Sequence, residues 1–312
     1  MLNPDSSPPD ATLEDAVNLY IRDKGVEESR KRTTDLDRIC RRLQEALGPL
    51  DQFPIKSLRR EHGRRFMDTL LSTKKADGTP LSIASAKREA VIVTATMNHA
   101  LREFDIDGVS NPFAALPWPK EDTLELDKRL PLEDGLVVTL ADRLPEELKP
   151  LWSVLAGTGM RLSEAVGLLR EDVVLDAPVP HVVIRHNSIR RLKTTSSQRT
   201  VPLVGEALRA AKDSCVGVEQ GEGIFPRYAR PRGADAASAA LMKHLRKETE
   251  DSRLGVHSLR HRVSDKLREA GAATEVRKGF LGHANEAVAE STYGGRDARL
   301  KEFQKRAVKA GL

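Results

Sequence analysis

Hydrophobic residues recur at helical spacing through the first hundred positions. The first stripe consists of Leu13, Ala16, Val17 and Tyr20, and Thr12 stands in front of it as a helix cap. Three more stripes follow, over 36–47, 60–71 and 82–101, and Gly48 ends the first of these three. The pattern predicts about four helices, packed as a bundle over residues 11–108 behind a disordered tail at 1–10.

The pattern changes over residues 109–131, where prolines punctuate a segment without periodicity. Proline forbids helix at these positions, so we expect a linker between two domains. Helical spacing then resumes, and helices are predicted over 132–141, 146–158, 163–169, 206–215, 236–250, 257–270, 274–281 and 296–312.

One stretch of the second half differs from the helices around it. His181 to Leu203 alternates in polarity and is rich in β-branched residues, which predicts about three short antiparallel strands. We expect the last two to be joined near Thr194 to Gln198. The expected fold is therefore mainly α with a small antiparallel β-sheet, in two domains. The second domain would span 132–297, followed by a helix at 298–312 with Leu300, Phe303 and Val308 on one side.

Composition is that of an ordinary water-soluble chain of about two domains. Hydrophobic residues make up 39% of the 312 positions, and no apolar run approaches the roughly 20 residues that span a bilayer. The N-terminus lacks the basic and apolar regions of a signal peptide. Cys40 and Cys215 match no metal-ligand spacing. We therefore expect reduced thiols, a cytoplasmic location and no membrane partner.

Positive charge is clustered. The formal net charge is +5, and basic residues bunch around 30–42, 185–193 and 253–268. Two interpretations stay open: a moderately basic protein that binds nothing acidic, and a patterned surface for nucleic acid.

Two motifs of the second predicted domain place arginine where an anion can bind. In TGMRLSE at 158–164, a glycine frees the backbone before Arg161 at a helix start. The alternative is a helix cap with a solvated arginine. In HSLRH at 257–261, His257 and Arg260 are spaced to share a helix face. The alternative there is a surface helix with incidental basic residues.

Two more features follow toward the end of the chain. Leu281-Gly282-His283 predicts a helix stop with a histidine at the turn, and Tyr293 precedes two glycines. Taken singly, such a histidine is typical of a structural residue and such a tyrosine of a core residue.

Taken together and in order, these features resemble the catalytic signature of the tyrosine recombinase (phage integrase) family. The signature residues of this chain are Arg161, Lys193, His257, Arg260, His283 and Tyr293. The surrounding text, including LGHANEAVAESTYGG, fits as well, and the resemblance covers about 131–297. The helical segment before it is similar to the family's core-binding domain in size and position only. His283 and Tyr293 are one residue further apart than in many members, which bears on the helix boundaries.

The resemblance implies an enzyme that cleaves and rejoins duplex DNA at a specific site through a 3′-phosphotyrosine link. The roles it implies are nucleophile for Tyr293, base for His257, acid for Lys193, phosphate ligands for Arg161, Arg260 and His283, and bracing for Glu164. The chemistry requires such a set, since the phosphodiester is anionic and tyrosine, with a pKa of about 10, needs a proton acceptor. No acidic cluster suits a metal and no GxxxxGK[ST] loop is present. We therefore expect no cofactor.

The resemblance also implies how DNA is held. The helical domain would lie on one side of the duplex and the catalytic domain on the other. We expect four copies of the chain to assemble on DNA as a homo-tetramer, and the free protein to be a monomer or weak oligomer. Candidate DNA contacts are Arg38, Arg41, Arg42, Lys87 and Arg88, with a solvated basic helix face as the alternative. The C-terminal helix packs on a neighbouring protomer or on its own domain. We expect no arm-binding domain before the first helix.

Two other functions stay open at this point. One is a DNA-binding or architectural protein that keeps the fold without the chemistry, against which the complete catalytic set argues. The other is a type IB topoisomerase, against which the short chain and the helical N-terminal domain argue.

Overall fold

The chain forms two compact units, which divide between Asp122 and Thr123. The computed structural model describes residues 10–120, 129–190, 198–282 and 295–312. Each unit has a hydrophobic core of its own. Across these described ranges, no helix combines the length and apolar character needed to cross a lipid bilayer.

The first unit contains the four predicted helices. They are α1 (Leu13–Asp23), α2 (Arg30–Leu47), α3 (Arg60–Ser72) and α4 (Ile83–Glu103). The predicted cap of α1 is confirmed, because the Thr12 hydroxyl accepts a hydrogen bond from the Asp15 backbone N–H at 3.2 Å. Gly48, with a φ of 102°, ends α2. The predicted stripes face inward and form a core that includes Leu13, Ala16, Ile39, Leu43, Phe66, Leu70, Val93 and Met97.

Residues 109–120, which we expected to be linker, pack on the first unit. Phe113 is buried, and its ring meets that of Phe66 edge-on with centroids 6.0 Å apart. The Arg60 guanidinium donates to the Pro112 carbonyl at 3.1 Å, and a Cβ on Gly63 would stand 2.1 Å from that same oxygen. Proline keeps the segment from forming helix, as predicted. Its apolar side chains nevertheless bury against α3.

The second unit is built mainly from helices. They are α5 (Asp134–Arg143), α6 (Lys149–Thr158), α7 (Leu162–Val166), α8 (Gly205–Ser214), α9 (Gly233–Glu248), α10 (Ser258–Glu269), α11 (Thr274–Leu281) and α12 (Arg296–Lys309). Each matches a predicted helix to within a few residues. Helix α7 ends at Val166 rather than Leu169 because Gly167 caps it.

Three short strands form the antiparallel sheet of this unit. They are β1 (Val173–Val174), β2 (His181–Ile184) and β3 (Arg199–Pro202), hydrogen-bonded in that order. The fold class is as predicted. Among the described residues, β2 and β3 fall in the predicted stretch and β1 precedes it, whereas most of the predicted turn at 194–198 lies outside the described residues. After β2 the chain turns instead of extending, since the Asn187 side chain accepts the backbone N–H of Ile189 and of Arg190.

The C-terminal helix α12 packs on its own unit. The Phe303 ring meets that of Phe280 with centroids 5.6 Å apart, and the Arg306 guanidinium donates to the Gly271 carbonyl at 3.2 Å. Leu300 and Phe303 are buried as expected, but Val308 is exposed. Leu300 and Phe303 define the buried side of the helix, and Ala307 rather than Val308 lies on that side.

Candidate active site

Arg161 lies at a sharp turn between α6 and α7. Gly159 ends α6 with a φ of 60°, and a Cβ there would come within 2.9 Å of the Leu281 side chain, so the turn needs glycine. Arg161 follows as the N-cap of α7, and its guanidinium donates to Glu164 Oε1 at 2.8 Å. The Arg161 side chain remains 35% exposed. It is therefore held by its carboxylate partner while one edge stays accessible.

Glu164, the predicted brace, is buried with both carboxylate oxygens occupied. Oε2 accepts the backbone N–H of Arg161 at 2.8 Å and the Arg199 guanidinium at 2.8 Å. Burial alone would raise the pKa of Glu164, but the hydrogen bonds and charge of Arg199, with those of Arg161, lower it to about 2. The carboxylate is thus ionised at neutral pH and joins α7 to β3.

Arg260 lies on α10 with only 3% of its surface exposed. Its guanidinium donates to the Gly159 carbonyl at 2.9 Å and to the Leu281 carbonyl. These are oxygens at the C-terminal ends of α6 and α11, where the helix dipole favours a cation. Burial, followed by the charges of Arg161 and Arg199, lowers the pKa of Arg260 to about 10. Arg260 therefore still carries its proton at neutral pH.

His257 occupies the N-cap of α10, where its ring is partly exposed. Its ring meets that of His261 edge-on with centroids 5.2 Å apart. The partial burial of the ring, followed by electrostatic repulsion from His261, Arg260 and Arg161, lowers the pKa of His257 below its ordinary value. The imidazole is therefore mostly neutral at pH 7, the form that accepts a proton.

The C-terminal end of α11 is the point at which these residues meet. Gly282 ends the helix with a φ of 67°, which confirms the predicted stop. The Arg260 guanidinium donates to the Leu281 carbonyl and that of Arg161 to the Gly282 carbonyl, the latter at 3.5 Å. Two arginines that are about a hundred residues apart in the chain thus reach neighbouring carbonyls, directly before His283.

Sequence reasoning overlooked Arg199, the first residue of β3. Its side chain is only 6% exposed, and it donates to both oxygens of Glu164 and, at 3.0 Å, to the Phe280 carbonyl. The available signal was a charged residue that opens a short strand leading into the core. That signal marks a buried ion pair without identifying its partner.

A second buried cluster supports α7 from its other side. Asp172 is fully buried and accepts the Arg185 guanidinium at 2.6 Å and the Asn187 amide at 3.0 Å. Arg190, also buried, donates to the Glu164 backbone carbonyl at 2.6 Å. The chain that leads toward Lys193 is therefore fastened to the helix that carries Glu164.

Three of the predicted site residues lie outside the described residues. They are Lys193, His283 and Tyr293. The described members Arg161, Glu164 and Arg260 form one hydrogen-bonded cluster around the end of α11. Within the described ranges, no three His, Cys, Asp or Glu side chains come together in a way that would hold a metal ion.

The candidate DNA contacts of the first unit lie on α2 and α4, and two of them are paired with a buried glutamate. Arg38 and Arg42 both donate to Oε1 of Glu89, at 3.2 and 2.5 Å. The other oxygen of Glu89 is buried and has no hydrogen-bond partner. Arg41 and Arg88 are exposed, and Lys87 is half-buried.

Comparison of the sequence with known proteins identifies a family and several relatives. The model of the phage integrase family matches residues 136–298, which is more than half of the chain. A tyrosine recombinase XerD of Corynebacterium glutamicum is 29% identical over 271 residues, covering 80% of this chain and 82% of that protein. A tyrosine recombinase XerC of Mycobacterium bovis is 31% identical over 184 residues, or 56% of each chain.

Solved structures share the fold. The Tn1549 transposon integrase in complex with transposon right end DNA superposes with a TM-score of 0.65 at 20% identity, covering 95% of this chain and 99% of that one. A lambda integrase tetramer bound to a Holliday junction gives a TM-score of 0.65 at 15% identity, covering 94% of this chain and 84% of that one. The mainly helical architecture with a small antiparallel sheet is therefore an integrase fold.

Proposed function

The chain belongs to the phage integrase family and is a tyrosine-type site-specific DNA recombinase, and we propose that it acts by transesterification through Tyr293. In this reaction the phenolic oxygen attacks a phosphodiester, the 5′-oxygen leaves, and a 3′-phosphotyrosyl link forms. Attack of a 5′-hydroxyl on that link rejoins a strand and releases the tyrosine. The bond energy is conserved, so the cycle needs neither metal nor ATP.

One observation carries the proposal: the Arg161 and Arg260 side chains reach neighbouring carbonyls at the end of α11, directly before His283. A pentacovalent phosphorane gathers negative charge on its non-bridging oxygens. Two guanidinium groups that are charged at neutral pH and held close together are suited to bind those oxygens. His283 would add a hydrogen bond to the same group.

The inventory of tyrosines also supports Tyr293. The chain has three, and the other two are Tyr20 and Tyr228. Tyr228 is 3% exposed in the core of the second unit, so its hydroxyl cannot approach a DNA backbone. Tyr20 lies on α1 of the first unit, beside His99, and no arginine or histidine motif of the predicted signature stands near it in the sequence. Tyr293 is the one that follows the arginine and histidine motifs of the catalytic unit.

Two side chains would move the protons. His257 is neutral at pH 7 because its pKa is lowered, so it can take the proton of Tyr293 as the phenol attacks. Lys193 would donate a proton to the leaving 5′-oxygen. Glu164 would brace Arg161 through the hydrogen bond of 2.8 Å.

We propose that the active form is a tetramer on duplex DNA. A related lambda integrase is bound as a tetramer to a Holliday junction, and the Tn1549 integrase is in complex with DNA. Arg41, Lys87 and Arg88, together with Arg38 and Arg42, would contact the duplex from the first unit. Free of DNA, the chain would be a monomer or weak oligomer.

A suicide substrate tests the proposal. Once the bound sequence has been selected from a random pool, a half-site nicked near the cleavage point loses its short 5′-hydroxyl fragment and traps the covalent intermediate. In buffer containing EDTA we expect wild type to give a covalent band and Tyr293→Phe to give none. A wild type that binds the site without forming the band would be a DNA-binding protein only. Relaxation of supercoiled plasmid that lacks the site would instead indicate a topoisomerase.

A further inference from the structure

Arg199 is not among the predicted site residues, yet it joins two of them in the arrangement Arg161–Glu164–Arg199. A single buried carboxylate accepts one guanidinium from α7 and one from β3, at 2.8 Å each. Glu164 and Arg199 are 5% and 6% exposed, whereas Arg161 is 35% exposed. The arrangement therefore has an inner side, closed by Arg199, and an outer side, formed by Arg161.

Charge explains why two arginines are needed. If Arg161 alone were paired with Glu164, the pair would be neutral and would offer no net charge to a phosphate. The carboxylate would also repel that phosphate at close range. A second guanidinium on the inner side leaves the three groups with one net positive charge, located where Arg161 is accessible.

Arg199 is held in place independently of Arg161. Its Nε donates to the Phe280 carbonyl at 3.0 Å, and its guanidinium lies against Gly282, where a Cβ would come within 2.5 Å of Nη1. The same group thus contacts the end of α11, the turn that Arg161 and Arg260 also reach. Only glycine leaves room for this approach.

We propose that Arg199 is a positioning residue of the recombinase site, one that neutralises Glu164 from inside and so leaves the charge of Arg161 available to the scissile phosphate. This inference rests on the proposed function. Arg199 acts through Glu164, and its removal turns the brace of Arg161 into an uncompensated negative charge beside the substrate.

Cleavage of two substrates tests the charge role. One half-site carries the normal scissile phosphate, and the other carries a methylphosphonate, which has no negative charge to be offset. With the normal phosphate, we expect Arg199→Met to slow single-turnover adduct formation by about 10²-fold, with DNA affinity unchanged. With the methylphosphonate, most of that loss should disappear. An equal loss on both substrates would show a structural role and overturn the proposal.

Two further variants serve as controls for this experiment. Arg209→Met, on α8 at an exposed ion pair with Glu206, should match wild type on both substrates. If Arg199→Met does not fold, the double variant Arg199→Met/Glu164→Gln is measured instead. The double variant has no carboxylate at position 164, so the loss of Arg199 leaves no unpaired charge buried there. We expect the double variant to cleave about as fast as Glu164→Gln alone. Losses that multiply would contradict the proposal.

A measurement without DNA separates this proposal from the recombinase proposal. In protein labelled with ¹³C at glutamate carboxylates, the Glu164 resonance is assigned from its absence in Glu164→Gln. The pKa of Glu164 should be about 2 in wild type and clearly higher in Arg199→Met or Arg199→Lys. An unchanged titration overturns the role of Arg199 even if cleavage is robust. A shifted titration with no cleavage by wild type would count against the recombinase proposal alone.

Discussion

Each unit contains a buried glutamate that holds two arginines, and the two differ in how completely they are satisfied. In the first unit, Arg38 and Arg42 share one oxygen of Glu89, and the other oxygen has no partner. In the second unit, both oxygens of Glu164 accept hydrogen bonds from Arg161 and Arg199.

This difference fits the role that we propose for each cluster. Reaction at phosphorus needs guanidinium groups fixed in a narrow geometry, and a fully hydrogen-bonded carboxylate supplies that rigidity. Binding along a duplex needs positive charge over a wider area and tolerates side chains that adjust. Glu89 ties α2 to α4 while leaving Arg38 partly exposed. Substitutions in the two clusters should therefore have unequal effects.

The largest effect is expected at Arg260. Lysine keeps the charge but cannot bind the Gly159 and Leu281 carbonyls with one planar group and also face a phosphate. Arg260→Lys should slow adduct formation by about 10²- to 10³-fold while DNA affinity changes little. Arg268→Lys, at an exposed position on the same helix, is the matched control. Equal rates for the two variants in a single-turnover assay would show that Arg260 is only structural.

An effect on acid stability is expected at Glu164. Its folded pKa of about 2 lies below the ordinary value, so its ionisation stabilises the fold above the unfolded pKa. The contribution, on the order of 3 kcal/mol, is lost as pH falls from about 5 toward 2. The difference in unfolding free energy between wild type and Glu164→Gln should narrow by most of that amount over this range. Urea denaturation at several pH values measures it, and a constant difference would contradict the pKa.

The smallest effect is expected on the proposed DNA-binding face of the first unit. Arg88 is exposed, so Arg88→Ala should reduce the slope of log affinity against log salt by about one, with the cleavage rate at saturating DNA unchanged. Arg42 is 15% exposed and paired with Glu89. Arg42→Ala should therefore change the slope less than Arg88→Ala does, and lower the melting temperature more. The reverse order would mean that Arg42 is the phosphate ligand.

The sequence predicted most of the fold because helical periodicity is a local property. The four helices of the first unit and the stop at Gly282 follow from spacing and glycine placement alone. The packing of 109–120 on α3 did not follow, since it depends on Arg60 meeting carbonyls fifty residues away. The same limit applies to β1, whose two residues are too few to show alternation.

The residues of the candidate site also differ in whether the sequence alone could identify them. Arg161, Glu164, His257 and Arg260 stand in short motifs, so a resemblance could identify them. Arg199 was overlooked because its role depends on a carboxylate 35 residues earlier in the chain and on a carbonyl of α11. Residues that stand in short motifs can be identified from the sequence, whereas a supporting residue such as Arg199 is identified by its three-dimensional contacts.

Locating the covalent link on the protein tests the central claim most directly. The adduct trapped in EDTA on a half-site is digested with trypsin, and the DNA-linked peptide is sequenced by mass spectrometry. We predict a single 3′-phosphotyrosyl link in the peptide that covers residues 279–296, in which Tyr293 is the only tyrosine. A link to Tyr20 or Tyr228, a link through a 5′-phosphate, or the absence of any adduct at a site that is bound would contradict it.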